Sequence, residues 1–182
     1  PENLVNALVA TEDERYYNHS GVDFRGLTRA IIFLGTKGGA STITQQLSKM
    51  LFHKRPGNKI LRVIQKLKEW VIASRLERQY TKDEIVSMYF NKLDFVNNAV
   101  GIESASHVYF NTKPINLKIE QAAMLVGMAK NPSLFNPVKR PDTTMHRRNV
   151  VLMQMVKNEF VTQEEYDSLR QIPLELDYVV VD

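Results

Sequence analysis

No cysteine occurs anywhere in this sequence, so neither a disulfide framework nor a thiolate-held metal can organise it. That absence leaves the compartment open, because an oxidising space does not require disulfides. No stretch reaches the roughly 18 uncharged apolar residues that span a bilayer. The chain opens at Pro1-Glu2-Asn3 without the basic n-region of a secretory signal, as if cut from something longer. Acid is scarce where base is plentiful: between Phe24 and Leu76, eleven Lys or Arg face one acid, Glu69. Such a block expects an anionic partner, whether nucleic acid, phospholipid headgroups or a phosphorylated substrate.

What is present suffices for a core. Of the 182 residues 43% are hydrophobic, and the net charge is +4. Apolar spacing near 3.6, punctuated by Gly, Pro and Asn, predicts helices over 2–11, 24–33, 42–51, 59–79, 82–90, 101–109, 119–129, 145–158 and 163–171. One domain is expected over 1–173. The remainder, 174–182 within "LELDYVVVD", reads as an extended tail or the first strand of a following domain. The fold class expected is mostly α.

Three stretches carry chemistry. "ATEDERYYNHSG" (10–21) sets Glu12, Asp13 and Glu14 side by side. Repulsion between adjacent carboxylates makes one of them a readier proton acceptor, although a solvated helix end has the same letters. "GGASTITQQLSK" (38–49) marks a helix start in which Thr42 and Gln45 fit a capping box. Exposed N–H groups at such a start suit a phosphate, and Lys49 adds charge. The 59–79 helix puts Ile60, Val63, Ile64, Leu67 and Val71 on one side, expected to face the core. Glu69 falls opposite, with Arg62 about 20°, Gln65 about 40° and Lys66 about 60° away. A surface Lys66–Glu69 pair explains part of that pattern too.

Together these stretches resemble the peptidoglycan glycosyltransferase domain of class A penicillin-binding proteins and monofunctional transglycosylases. The family motif E-D-x-x-F-x-x-H-x-G is similar to residues 12–21, with Tyr16 for Phe. G-x-S-T-I-T-Q-Q is met in full by 39–46. R-K-x-x-E matches 65–69, with Gln65 for arginine, and K-x-E-I-L-E-x-Y-L-N matches 82–91, with Ser87 for glutamate. A double arginine before an apolar helix is Arg147-Arg148.

The resemblance implies a lysozyme-like helical domain with an active-site cleft and a partly apolar membrane-facing segment, at the outer face of the bacterial cytoplasmic membrane. An N-terminal transmembrane anchor would precede it, and a linker to a transpeptidase domain is one reading of the tail. It implies polymerisation of lipid II onto a growing glycan chain, with inversion and loss of undecaprenyl pyrophosphate. Moenomycin is the implied inhibitor, and other cell-wall synthesis proteins are implied partners. Glu12 would be the general base and Glu69 the assisting carboxylate. Substrate would meet Asp13, Ser41, Thr44, Gln45, Gln46, Lys49, Arg62, Lys66, Lys68, Asn91 and Lys130, with a divalent cation (Mg or Mn) a candidate at the pyrophosphate.

His19 is expected to fix the loop ending at Gly21. "KMLFHKRPGNKILRVI" (49–64) mixes apolar groups with cations, which suits an interfacial segment on anionic lipid. Three rival readings stand beside this one. A helix-turn-helix domain would use "ASTITQQLSKMLF" for recognition, but it leaves the acidic motif unexplained, and no nucleic-acid partner is expected. A lytic enzyme on the same fold would need no pyrophosphate site, and a pseudoenzyme would have no use for Glu12 and Glu69.

Overall fold

Helix ends in this chain are set by side chains placed beside them. The computed structural model describes residues 1–32, 41–52 and 58–181. Asn58 Oδ1 accepts the Leu61 N–H at 2.9 Å and opens the longest helix. Thr162 and Glu165 form a reciprocal capping box at another start. The helices are α1 (Glu2–Glu12), α2 (Phe24–Ile32), α3 (Ile43–Phe52), α4 (Lys59–Gln79), α5 (Lys82–Lys92), α6 (Ile102–Phe110), α7 (Ile119–Ala129), α8 (Pro141–Lys157) and α9 (Gln163–Leu169).

The described residues contain no strand, only an isolated bridge between Asp94 and Val100, so the domain is mostly α as expected. α8 starts four residues before the expected Met145, because Pro141 fits the first helical position, where its missing N–H costs nothing. Phe33, Gly38, Gly39 and residues 53–57 of the basic loop lie outside the described residues. No helix among the described residues is long and apolar enough to cross a membrane.

The chain divides into two compact units, Pro1–Glu14 with Leu93–Asp182, and Arg15–Lys92. In the first, α1 packs against α7 and α8. Leu4, Ala7 and Leu8 of α1 are buried, as are Ala122 to Met128 of α7 and Val151, Leu152 and Met155 of α8. The residues after Pro173 run extended, and the Asp177 and Val179 N–H groups donate to the Tyr109 and Val108 carbonyls at the end of α6.

In the second unit α3 packs against α4 and α5. Tyr16, where the family has Phe, is fully buried, and its hydroxyl donates to the Lys82 carbonyl at 2.8 Å. The Lys82 ammonium sits 4.3 Å from the ring centroid, so the extra hydroxyl is satisfied and the ring holds a cation. His19 Nδ1 accepts the Gly21 N–H at 3.2 Å, fixing the loop. Gly21, at φ +93°, lies against α4: a Cβ there would be 2.9 Å from the Ala73 carbonyl.

One expectation is reversed. The stripe of Ile60, Val63, Ile64, Leu67 and Val71 does not face the core; all five are exposed, Ile60 at 73%. The opposite stripe goes inside, with Glu69 6% exposed, Ala73 fully buried and Leu76 nearly so. Small Ala73 admits Gly21 closely, and Glu69 enters with a lysine at its carboxylate. The polar stripe therefore buries at acceptable cost, while an apolar count assumes that the only apolar surroundings are the protein's own.

Replacing Gly21 by Ala forces a side chain into a positive φ and against backbone. Chemical denaturation should show a loss of roughly 2–3 kcal/mol; unchanged stability would mean that the loop does not rest on α4 as described.

Candidate active site

In the first unit the acidic motif begins where α1 ends. Glu12 is the last helical residue, and the Asp13 N–H closes the helix on the Val9 carbonyl at 3.1 Å. The Glu12 side chain is 18% exposed, and Arg147 Nη2 of α8 stands 3.6 Å from its Oε1. Asp13 is more deeply placed, at 7%. The Arg147 guanidinium is fixed on three sides, with its Nε 3.4 Å from the Gly127 carbonyl, its carbon 5.7 Å from the Phe135 centroid, and Glu12 beyond.

Burial pushes the arginine's pKa below its ordinary value, and the Glu12 charge acts the other way. Gly127 makes this geometry possible, since a Cβ there would stand 3.1 Å from Arg147 Cγ. The two arginines of the doublet divide their work. Arg148 is buried and donates to the Ile172 carbonyl at 2.7 Å and the Arg170 carbonyl at 3.2 Å, clamping the segment after α9. The sequence shows the doublet but no partner for Arg147, because Glu12 lies more than a hundred residues earlier in the chain. Lys130 is exposed at the end of α7.

In the second unit the helix-start motif and the α4 carboxylate meet. Lys66 Nζ donates to Ser41 Oγ at 2.8 Å and to Glu69 Oε2 at 3.2 Å. One ammonium thus ties "STITQQ" to "QKLKE". The expected capping box is present: the Gln45 N–H donates to Thr42 Oγ1 at 3.1 Å, and the Thr42 N–H donates to Gln45 Oε1 at 3.2 Å. That commits Gln45, which is 2% exposed, to the helix start.

Thr44 is fully buried and donates its hydroxyl to Glu77 Oε1 at 2.5 Å, while Lys82 holds the other oxygen at 2.8 Å. Gln46 Oε1 accepts from the Tyr89 hydroxyl at 3.1 Å. So Thr44 and Gln45, expected at substrate, spend their polar groups inside the protein; the sequence shows polar letters at a helix start but not which way they turn. Lys49, Arg62, Lys68 and Asn91 are exposed. Arg62 shares the Glu69 face of α4, whereas Lys68 points about 100° away around the helix.

Thr44, Gln45 and Ser48 of α3 are buried, so most of the polar side chains that a recognition helix would present to base edges face the interior, which tells against the helix-turn-helix reading. Among the described residues no three His, Asp or Glu side chains gather to hold a metal ion, and Lys66 already stands at the Glu69 carboxylate.

The motifs and helices place the chain in a class, and the comparisons agree: a family model described as Transglycosylase matches residues 1–156, and the chain belongs to that family. It is 40% identical to penicillin-binding protein 1A of Escherichia coli (strain K12) over 98% of this chain and 21% of the relative. Penicillin-binding protein 1A of Aquifex aeolicus (strain VF5) is 36% identical over 96% of this chain and 24% of the relative. Penicillin-binding protein 2a of Streptococcus pneumoniae serotype 2 is 35% identical over 95% of this chain and 23% of the relative. The chain therefore spans between a fifth and a quarter of the length of these curated relatives. A crystal structure of penicillin-binding protein 1A from Haemophilus influenzae overlays 74% of this chain and 17% of that chain, with a TM-score of 0.48 and 23% identity. The family assignment rests on the sequence match rather than on this overlay.

The burial of Thr44 makes a prediction that separates fold from substrate contact. Thr44→Val leaves Glu77 one donor short and should cost roughly 1–3 kcal/mol of stability in a thermal or denaturant melt. A variant of normal stability with weakened substrate binding would return Thr44 to the binding surface.

Proposed function

We propose that this domain is a peptidoglycan glycosyltransferase that polymerises lipid II into β-1,4 glycan strands with inversion, releasing undecaprenyl pyrophosphate. The observation that carries the proposal is the Glu12 carboxylate, partly open to solvent and held by a fixed guanidinium 3.6 Å away at the end of the acidic motif.

The chemistry follows from that carboxylate. Glu12 takes the proton from the acceptor sugar's 4-hydroxyl. The freed oxygen pair bonds to the donor's anomeric carbon, and the bond from that carbon to the phosphate oxygen breaks with its electrons on the diphosphate. Positioned bases of this kind contribute about 10²–10⁴-fold. The leaving diphosphate gathers negative charge, which fixed cations stabilise best where water is excluded. Lys66, already oriented by Ser41 and Glu69, is the cation we assign to that task, with Arg62 on the same face of α4 and Lys49 at the end of α3. Glu69 serves by holding Lys66. A lytic enzyme expels no diphosphate and would leave this lysine without work.

The donor's lipid carrier stays in the bilayer, so the domain must approach the membrane. The outward apolar stripe of α4, with Phe52 exposed at the end of α3, supports an interfacial face next to the basic segment. On this reading the domain works at the outer face of the cytoplasmic membrane on lipid II and a growing chain, and moenomycin inhibits it.

Glu12→Gln tests the reading. Polymerisation of labelled lipid II, resolved by product length, should fall by about 100-fold or more, while moenomycin binding and the melting temperature hold. A variant that keeps more than a few per cent of the activity would put the base elsewhere.

A further inference from the structure

The second unit carries a groove that the proposed transfer step leaves unused. It encloses about 280 Å³ and is lined by Val22, Phe24, Trp70 and Val71, with Arg75 and Arg78 on the same wall. Phe24 is 68% exposed and Val71 53%, so much apolar surface stays in water. Neither arginine has a hydrogen bond or ion pair among the described residues, and no carboxylate lines the groove.

The acids nearest in sequence are spoken for: Asp23 pairs with Arg15 at 3.5 Å, and Glu77 with Lys82 at 2.8 Å. The Trp70 indole Nε1 is buried without a hydrogen-bond partner among the described residues. A greasy wall and two guanidinium groups without a partner among the described residues share one small concavity.

We propose that this groove binds a single phosphate-headed lipid, its apolar part against Phe24, Trp70 and Val71 and its anionic head on Arg75 and Arg78. The sequence of α4 fits that occupant. Its outward face is apolar from Ile60 through Leu67 to Val71 and turns cationic at Arg75 and Arg78, about 27 Å along from Ile60. An apolar stretch followed by arginines matches the order of acyl region and phosphate layer, because arginine keeps its stem on apolar surface while its head reaches phosphate. A free phosphate would engage the arginines and leave the aromatic wall with no role. The inference rests on this unit alone and does not depend on the transfer reaction, so a failed Glu12 test leaves it standing.

Trp70 is the only tryptophan in the chain, so intrinsic fluorescence reads the groove directly. Titration of the full chain with dihexanoylphosphatidylglycerol below its micelle threshold should give a saturable shift of emission to shorter wavelength. Arg75→Gln combined with Arg78→Gln should raise the half-saturation concentration by about tenfold or more. Phe24→Ser should weaken binding while keeping both charges. All three positions are exposed, and unchanged circular dichroism confirms folding of the variants. Dihexanoylphosphatidylcholine should bind more weakly, and inorganic phosphate should give no shift. The proposal is overturned by an absence of saturation, by an equal response in the double arginine variant, or by the same shift from inorganic phosphate alone.

Discussion

A carboxylate that is to accept a proton must be held in place, and the contact between Glu12 and Arg147 contributes to that hold. At 3.6 Å it is an ion pair rather than a short hydrogen bond, so the guanidinium aims the carboxylate without closing it off. Its other contacts, the Gly127 carbonyl and the Phe135 ring, belong to the protein interior and keep the arginine in place whatever the carboxylate does. Gly127 is part of the same constraint, because a larger residue would press on the arginine's stem. Three stretches distant in sequence, the end of α1, the last turn of α7 and the first half of α8, thus converge on one guanidinium.

The second unit solves a related problem with lysine. Buried charges survive when paired and hydrogen-bonded, and Glu69 and Glu77 of this unit follow the rule. Glu69 has Lys66, and Glu77 has Lys82 and Thr44. Lys66 also carries Ser41, so the position of one ammonium reports on two motifs at once. Turning the charged stripe of α4 inward leaves its apolar stripe outward, which in water alone would be a poor arrangement. Beside a bilayer it is a favourable one, and the cationic end of the same face fits the phosphate layer.

Much of the fold was legible because local chemistry marks helix ends. The range of α4 agrees with the sequence reading at both ends, since Asn58 caps its start and Tyr80 leaves helical geometry at its finish. The Thr42–Gln45 box was equally readable. The rotation of α4 was not, because a wheel ranks faces by apolarity and Ile60 and Leu67 outrank Glu69 on that scale. Only the partners, Gly21 and Lys66, decide which side goes in. For the site, motif letters pointed to Glu12 and Glu69, but Arg147 meets Glu12 across more than a hundred residues of chain. Such a pairing leaves no trace in local spacing. Thr44 and Gln45 show the converse: a polar motif draws attention to side chains that the fold consumes.

The central claim is that the Arg147 charge holds Glu12 ready for the proton. Single-turnover polymerisation of lipid II by Arg147→Met and Arg147→Lys, with moenomycin binding measured alongside, tests it most directly. The expected result is a drop of about 100-fold for methionine with binding nearly unchanged, and partial recovery with lysine, since a misaligned catalytic group costs on that order. A methionine variant that polymerises at the rate of the unaltered domain would contradict the account.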